Sequence, residues 1–201
     1  MRYLRLLALS ALLVSGCAGP PLKSGDILYE ICAANRLFDL YQKDRLRFTF
    51  NLRLPDKTVA RSWEWHIQSG EIFLNGEAHT RSAQFVNDIY WLLFPLKAYE
   101  DRGKTEVTST PAVPAPLTGR KLTEVVVRYA DGEGYTPNDA YRLYVDDARV
   151  IREWAYLKAG KEPPARMTTW EDYRDFGGVF LSLMREGPEG FRVWFTGVAV
   201  E

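Results

Sequence analysis

Two-residue alternation, interrupted by one stretch that is apolar almost all the way round a helix, most constrains this chain. Phe48, Phe50, Leu52 and Leu54 alternate with Thr49, Asn51 and Arg53. Pro55-Asp56-Lys57 supplies a turn, and Trp63, Trp65 and Ile67 then alternate with Glu64, His66 and Gln68. Ser69-Gly70 leads into Glu71-Ile72-Phe73-Leu74, which ends at Asn75-Gly76. Successive strand residues point to opposite faces, so the pattern, punctuated by Gly, Pro, Asn and Asp, specifies antiparallel hairpins with one apolar face. Further strands are expected at about 124–129, 140–145, 150–157, 179–185 and 191–200. Asp146-Asp147 and Gly187-Pro188-Glu189-Gly190 supply turns between them.

Two helices are expected. Over residues 26–44, Leu28, Ile31, Asn35, Phe38 and Tyr41 recur at helical spacing behind a capping Asp26. The second runs from 83 to about 94 behind Ser82. Phe85, Val86, Ile89, Tyr90, Leu92 and Leu93 leave little of its circumference polar, which calls for burial on several sides. Pro95 is expected to stop it. Residues 101–119 read as irregular, and Pro111, Pro114 and Pro116 make part of them an extended loop or edge segment. Residues 168–176 read as a polar-aromatic connection. The fold class is α+β: a strongly twisted antiparallel sheet of roughly seven to nine strands, curled around one or two helices that cover its apolar face.

Composition excludes several functions. Lys+Arg and Asp+Glu balance at 26 each. Without the basic stripe that marks such proteins, nucleic acid is not an expected partner. With 46% hydrophobic residues and six Trp, the chain can build a sizeable core and is not disordered.

The N-terminus carries its own signal. Arg2 and Arg5 precede an apolar run from Leu6 to Val14, which ends in Ser15-Gly16 before Cys17. A charged n-region, a short apolar h-region and a small-residue cleavage site make residues 1–16 a secretory signal. The run is too short to span a bilayer, which takes roughly 20 apolar residues. Val14-Ser15-Gly16-Cys17 resembles the lipobox of bacterial lipoproteins, and that resemblance implies acylation of Cys17. Cleavage after Gly16 or Gly19 without lipid is the alternative. Residues 17–25 then form a short lipidated tether, and residues 18–24 reach about 25 Å when extended. Ala18 in place of Asp points, by the same resemblance, to the outer membrane facing the periplasm. Residues 26–201 form one domain. Cys32 has no partner within the mature chain and is expected to be a buried thiol.

A longer resemblance follows. Phe85-Val86-Asn87-Asp88-Ile89-Tyr90-Trp91-Leu92-Leu93-Phe94-Pro95-Leu96-Lys97 begins it. Tyr141-Arg142-Leu143-Tyr144-Val145-Asp146, Trp154-Ala155-Tyr156, Thr169-Trp170-Glu171-Asp172-Tyr173 and Gly177-Gly178 follow in order. The series resembles bacterial envelope proteins with the fold of the lipoprotein-sorting chaperones LolA and LolB. The match is less close to the chaperones themselves. The resemblance implies an incomplete β-barrel plugged by helices, with an apolar cavity that receives lipid or lipoprotein acyl chains. It does not carry over lipoprotein transfer, and protein partners stay open.

The aromatic stripes have two readings: ordinary core, or the lining of a hydrophobic site. Candidate lining residues are Phe50, Trp63, Trp65, Phe73, Trp154 and Trp194 from strands, with Ile89 and Trp91 from the second helix. Asn87-Asp88-Tyr90-Trp91 alternatively holds that helix in the sheet. Nothing marks an enzyme. Two separated histidines, His66 and His79, make no metal site, and there is no nucleophile elbow or phosphate loop. Asp146, Asp147, Glu171, Asp172 and Asp175 suit turns and loop ends better than paired acid–base work. No cofactor is implied.

Overall fold

The computed structural model describes residues 26–201 apart from 131 and 133–135. The signal-like segment, Cys17 and the tether to residue 25 lie outside the described residues. The chain opens with α1 (Ile27–Ala34), whose first N–H groups are capped by the Asp26 carboxylate, 2.9 Å from Leu28 N. The expected helix over 26–44 breaks at Asn35-Arg36. Asn35 folds its amide back onto Ile31 O, Arg36 takes a left-handed φ of 52°, and the chain continues as a 3-10 turn, Leu37–Gln42.

Four strands follow: β1 (Arg45–Leu54), β2 (Lys57–His66), β3 (Ile72–Leu74) and β4 (Glu77–His79). Then come α2 (Ala83–Glu100), β5 (Thr105–Pro114), β6 (Lys121–Tyr129), β7 (Ala140–Val145) and β8 (Ile151–Leu157). The chain closes with β9 (Arg166–Thr169), β10 (Glu171–Phe176), β11 (Val179–Glu186) and β12 (Arg192–Val200). One sheet runs β10-β11-β12-β1-β2-β3-β4 and the other β5-β6-β7-β8-β9, with every pairing antiparallel. They meet at Trp170, the one residue between β9 and β10. Its N–H bonds Arg152 O at 2.8 Å, while Thr169 Oγ1 accepts from Glu186 N at 3.1 Å. The two sheets thus form one curled surface, and α2 joins its free edge strands, β4 and β5, in the chain path. This is the α+β incomplete barrel expected.

Three further details differ from the sequence reading. First, α2 does not stop at Pro95 but runs on to Glu100, with non-helical angles at Leu93 (φ −121°, ψ 25°). Leu96, Ala98 and Tyr99 beyond the proline are buried, so packing carries the helix past it. Second, the 101–119 region is not irregular throughout: the edge-segment alternative holds, as a ten-residue edge strand, β5. A bulge between Thr110 and Val113 accommodates the Pro-containing stretch. Third, 168–176 is strand rather than connection. β10 is an exposed edge strand, so its sequence lacks the apolar alternation of a half-buried one. Cys32 lies in the core with no exposure, and burial pushes its thiol up. No described helix is long and apolar enough to cross a membrane.

Candidate functional site

Helix α2 is held against the sheets at two points. Asp88 is fully buried and accepts from Arg61 Nε and Nη2, both at 2.6 Å, and from Trp63 Nε1 at 2.7 Å. A side-on fork onto a carboxylate is a strong and directional pairing, and it fastens the helix to β2. The second point follows from Pro95. Lacking an N–H, it cannot serve the carbonyl four residues back, which belongs to Trp91. Arg185 of β11 takes the vacant place, its Nη2 lying 2.8 Å from Trp91 O.

These two anchors present Asn87, Tyr90, Trp91 and Phe94 on one face of α2, and that face forms one side of a cleft of about 430 Å³. Phe50, Leu52 and Leu54 of β1 form a second wall. Tyr141 of β7 with Trp154 and Tyr156 of β8 form a third. Arg166, Trp170 and Phe191 complete the lining. The rings brace one another. Trp91 and Trp154 lie 4.8 Å apart, Phe94 and Tyr141 4.6 Å, and Trp154 is stacked on Tyr156 at 6.3 Å. Hydroxyl bonds fix the tyrosines: Tyr156 to Asp139 at 2.8 Å, Tyr141 to Thr136 at 2.9 Å, and Tyr90 to Asp101 at 3.1 Å. Burial, followed by the Asp139 bond, pushes the Tyr156 hydroxyl up to about 12. A concave, mostly apolar space with few polar groups is the form of a small-molecule site, and its size lies within the roughly 300–1,000 Å³ such sites occupy.

Charge is sparse there. Arg166 carries the only charge on the described lining, and its guanidinium lies 4.1 Å over the Phe191 ring. Arg185 is fully buried behind the wall, 3.5 Å over Trp170. Its partners are Trp91 O, Ser182 O, Ser182 Oγ and Met184 O, all neutral, and burial pushes it down to about 9.

Of the eight candidate lining residues, three meet in this cleft: Phe50, Trp91 and Trp154. Trp65 and Ile89 line a second, smaller cavity of about 280 Å³ with Lys97 and Glu100. Trp63 is buried in the Asp88 clasp. Phe73, paired across from Glu64 and 5.2 Å from His66, and Trp194, paired across from Met184, lie on the opposite sheet face from the cleft. The Asn87-Asp88-Tyr90-Trp91 cluster divides: Asp88 holds the helix, and its neighbours face the cleft. Sequence reasoning missed Tyr141, Tyr156, Phe94, Trp170 and Arg166. The first two were within reach, because antiparallel register puts Tyr141 opposite Tyr156. Arg166 had no signal.

The acidic candidates lie in the turn after β7 and on the edge strand β10, and the carboxylates of Asp146, Asp172 and Asp175 serve local bonds. Asp146 Oδ1 accepts from Ala148 N and Val150 N, and its Oδ2 pairs with Arg152. Asp175 accepts from Gly178 N, and Asp172 pairs with Arg174. His66 bonds Glu64, and His79 bonds Ser82.

Two solved structures share this architecture. A LolA superfamily protein from Nitrosomonas europaea matches with a TM-score of 0.53, at 9% identity, over 90% of this chain and 94% of its own. A DUF1329 family protein from Desulfovibrio piger matches with a TM-score of 0.52, at 9% identity, over 89% of this chain and 94% of its own. No family model matches the sequence, and no curated protein matches it. The likeness is one of fold.

Proposed function

We propose that this chain, which has the LolA-like fold, is a non-enzymatic lipoprotein of the bacterial envelope that takes an acyl chain or a hydrophobe of similar size into its cleft. The observation that carries this reading is the cleft itself: about 430 Å³ left open between α2 and both sheets, walled by rings that hold each other in place. Each 100 Å² of apolar ligand surface removed from water contributes roughly 2.5 kcal/mol. The walls are braced before a ligand arrives, so little of that gain goes into ordering them. The lipobox-like Val14-Ser15-Gly16-Cys17 supports acylation at Cys17, and Ala18 supports the outer membrane as its site. The short stretch to Asp26 would keep the cleft close to that membrane, where acyl chains are the abundant hydrophobe.

Native mass spectrometry of the full chain carrying Cys17→Ser tests this. Co-purifying mass that resolves into fatty acid, phospholipid or acylated peptide is the expected result. A clean protein mass, unshifted by added fatty acid or phospholipid, refutes the carrier reading. The fold would then be a scaffold for a protein partner.

A further inference from the structure

We propose that the cleft selects amphiphiles with an anionic head group, and that Arg166 is the residue that recognises the head. This rests on the hydrophobe-binding reading above and narrows it to a ligand class.

The lining is chemically one-sided. Among the described residues it contains no carboxylate, and its single charged side chain is Arg166. Two other partly or fully buried cations near α2 have counter-ions. Arg61 is matched by Asp88, and Lys97, in the smaller cavity, by Glu100 at 2.9 Å. Among the described residues Arg166 has no carboxylate within ion-pair distance; its guanidinium rests on Phe191. Contact through the π-face leaves the N–H donors of the guanidinium at its edge available.

Position strengthens the argument. Arg166 sits on β9 opposite Tyr156, and its partial exposure places it at the rim of the cleft. The aromatic walls of Trp91, Trp154 and Phe50 lie further along the same space. Behind the wall, Arg185 adds a second positive charge that no carboxylate compensates, since its partners are carbonyls, a hydroxyl and the Trp170 ring. An apolar trough with an accessible arginine at its rim and uncompensated positive charge behind it fits a chain laid along the rings and an anion at the rim. Carboxylate and phosphate share the required chemistry, two oxygens that a guanidinium fork can grip together.

The test uses the full chain carrying Cys17→Ser, at a pH where fatty acids are ionised. Quenching of tryptophan fluorescence by brominated chains reports occupancy, because Trp91, Trp154 and Trp170 line the site. Three probes share one brominated chain: the free acid, its methyl ester and a phosphate monoester of the corresponding alcohol. The acid or the phosphate ester is expected to bind at least tenfold more tightly than the methyl ester, about 1.4 kcal/mol. Which of the two binds better distinguishes a free fatty acid from a phospholipid-like source. Arg166→Gln should level the difference between charged and neutral heads, and Arg166→Lys should keep most of it. Equal binding of charged and neutral heads, or a preference that survives Arg166→Gln, overturns the inference and leaves the carrier reading standing. Failure of every probe to quench overturns the carrier reading and this inference with it.

Discussion

Replacing Asp88 by Ala should be among the most damaging single changes in the chain, and the structure says how damaging. The carboxylate is fully buried and accepts four hydrogen bonds, two from Arg61, one from Trp63 and one from Asn87 at 3.0 Å. Removing one partner of a buried ion pair costs about 3–5 kcal/mol, because the other charge is left uncompensated. The Arg61 side chain is 16% exposed and recovers some hydration, which pulls towards the lower end. The Trp63 indole N–H is orphaned as well, at roughly 1–3 kcal/mol, which pulls back up. A net loss of about 4 kcal/mol is therefore expected. With a urea slope near 2 kcal/mol per molar, the unfolding midpoint should fall by about 2 M. A companion variant, Asp88→Leu with Arg61→Met, removes both charges and should recover most of the loss, since a buried pair is often no better than well-packed apolar residues. Urea unfolding followed by circular dichroism reads both. A midpoint shift under about 0.5 M for Asp88→Ala, or a double variant no more stable than the single one, would falsify the clasp as the device that seats α2.

Three further outcomes follow from the same geometry. Arg185→Met should cost about 1–3 kcal/mol by leaving Trp91 O without a donor. Combining it with Pro95→Ala, which restores an amide N–H at that carbonyl, should cost less than the two single losses together, and urea unfolding of the set measures this coupling. In alkali, Tyr144 and Tyr156, pushed up to about 12 by burial, keep their full stabilising effect below the ordinary value of 10.0 and lose it as pH rises towards 12. Tyr90, Tyr129 and Tyr141, also pushed up by burial, act in the same sense, whereas Arg185, pushed down, opposes them as one group against several. The phenolate absorbance of these five should therefore rise together with unfolding above pH 10; titration of all eleven tyrosines near 10 in a folded protein would contradict this burial. Labelled palmitate should enter the full chain in a lipoprotein-processing bacterium and be lost with Cys17→Ser, and label that persists in that variant would refute acylation there.

The sequence made the barrel legible where burial is one-sided. The inner residues Phe48, Phe50, Leu52 and Leu54 are set off by polar neighbours, and β1 lies where that alternation places it. Legibility failed at β10, where an exposed edge carries no apolar period, and at Pro95, where a local rule was overridden from a distance. No sequence window containing Pro95 reveals that an arginine 90 residues later serves the orphaned carbonyl of Trp91. The site was legible in kind and only partly in membership. Trp and Phe stripes announced aromatic walls, but telling the inner from the outer face of β3 and β12 requires the register, which puts Phe73 across from Glu64 and Trp194 across from Met184. Arg166 was invisible because it stands on a strand of four residues that has no pattern of its own.

An apolar void costs a protein stability, and surrounding side chains usually relax to shrink it. A chain that keeps one open must prevent that relaxation, and the wall chemistry does so. Flat rings in mutual contact cannot fold into the space as leucines would; Tyr141 sits 5.7 Å from Trp154 and 5.4 Å from Tyr156, each blocking the others. Hydrogen bonds tie the tyrosine hydroxyls to Asp139 and Thr136, which fixes the third wall. On the opposite side, the proline in α2 frees one carbonyl, Arg185 captures it, and the residue so held is Trp91. The same arginine stacks on Trp170, so one buried guanidinium positions two of the rings that face the cleft. A buried cation supported only by dipoles and a π-face is an expensive way to stabilise a core. It is a rational way to hold an apolar trough open while leaving positive charge next to it, and the occupant best matched to both properties is an amphiphile with an anionic head.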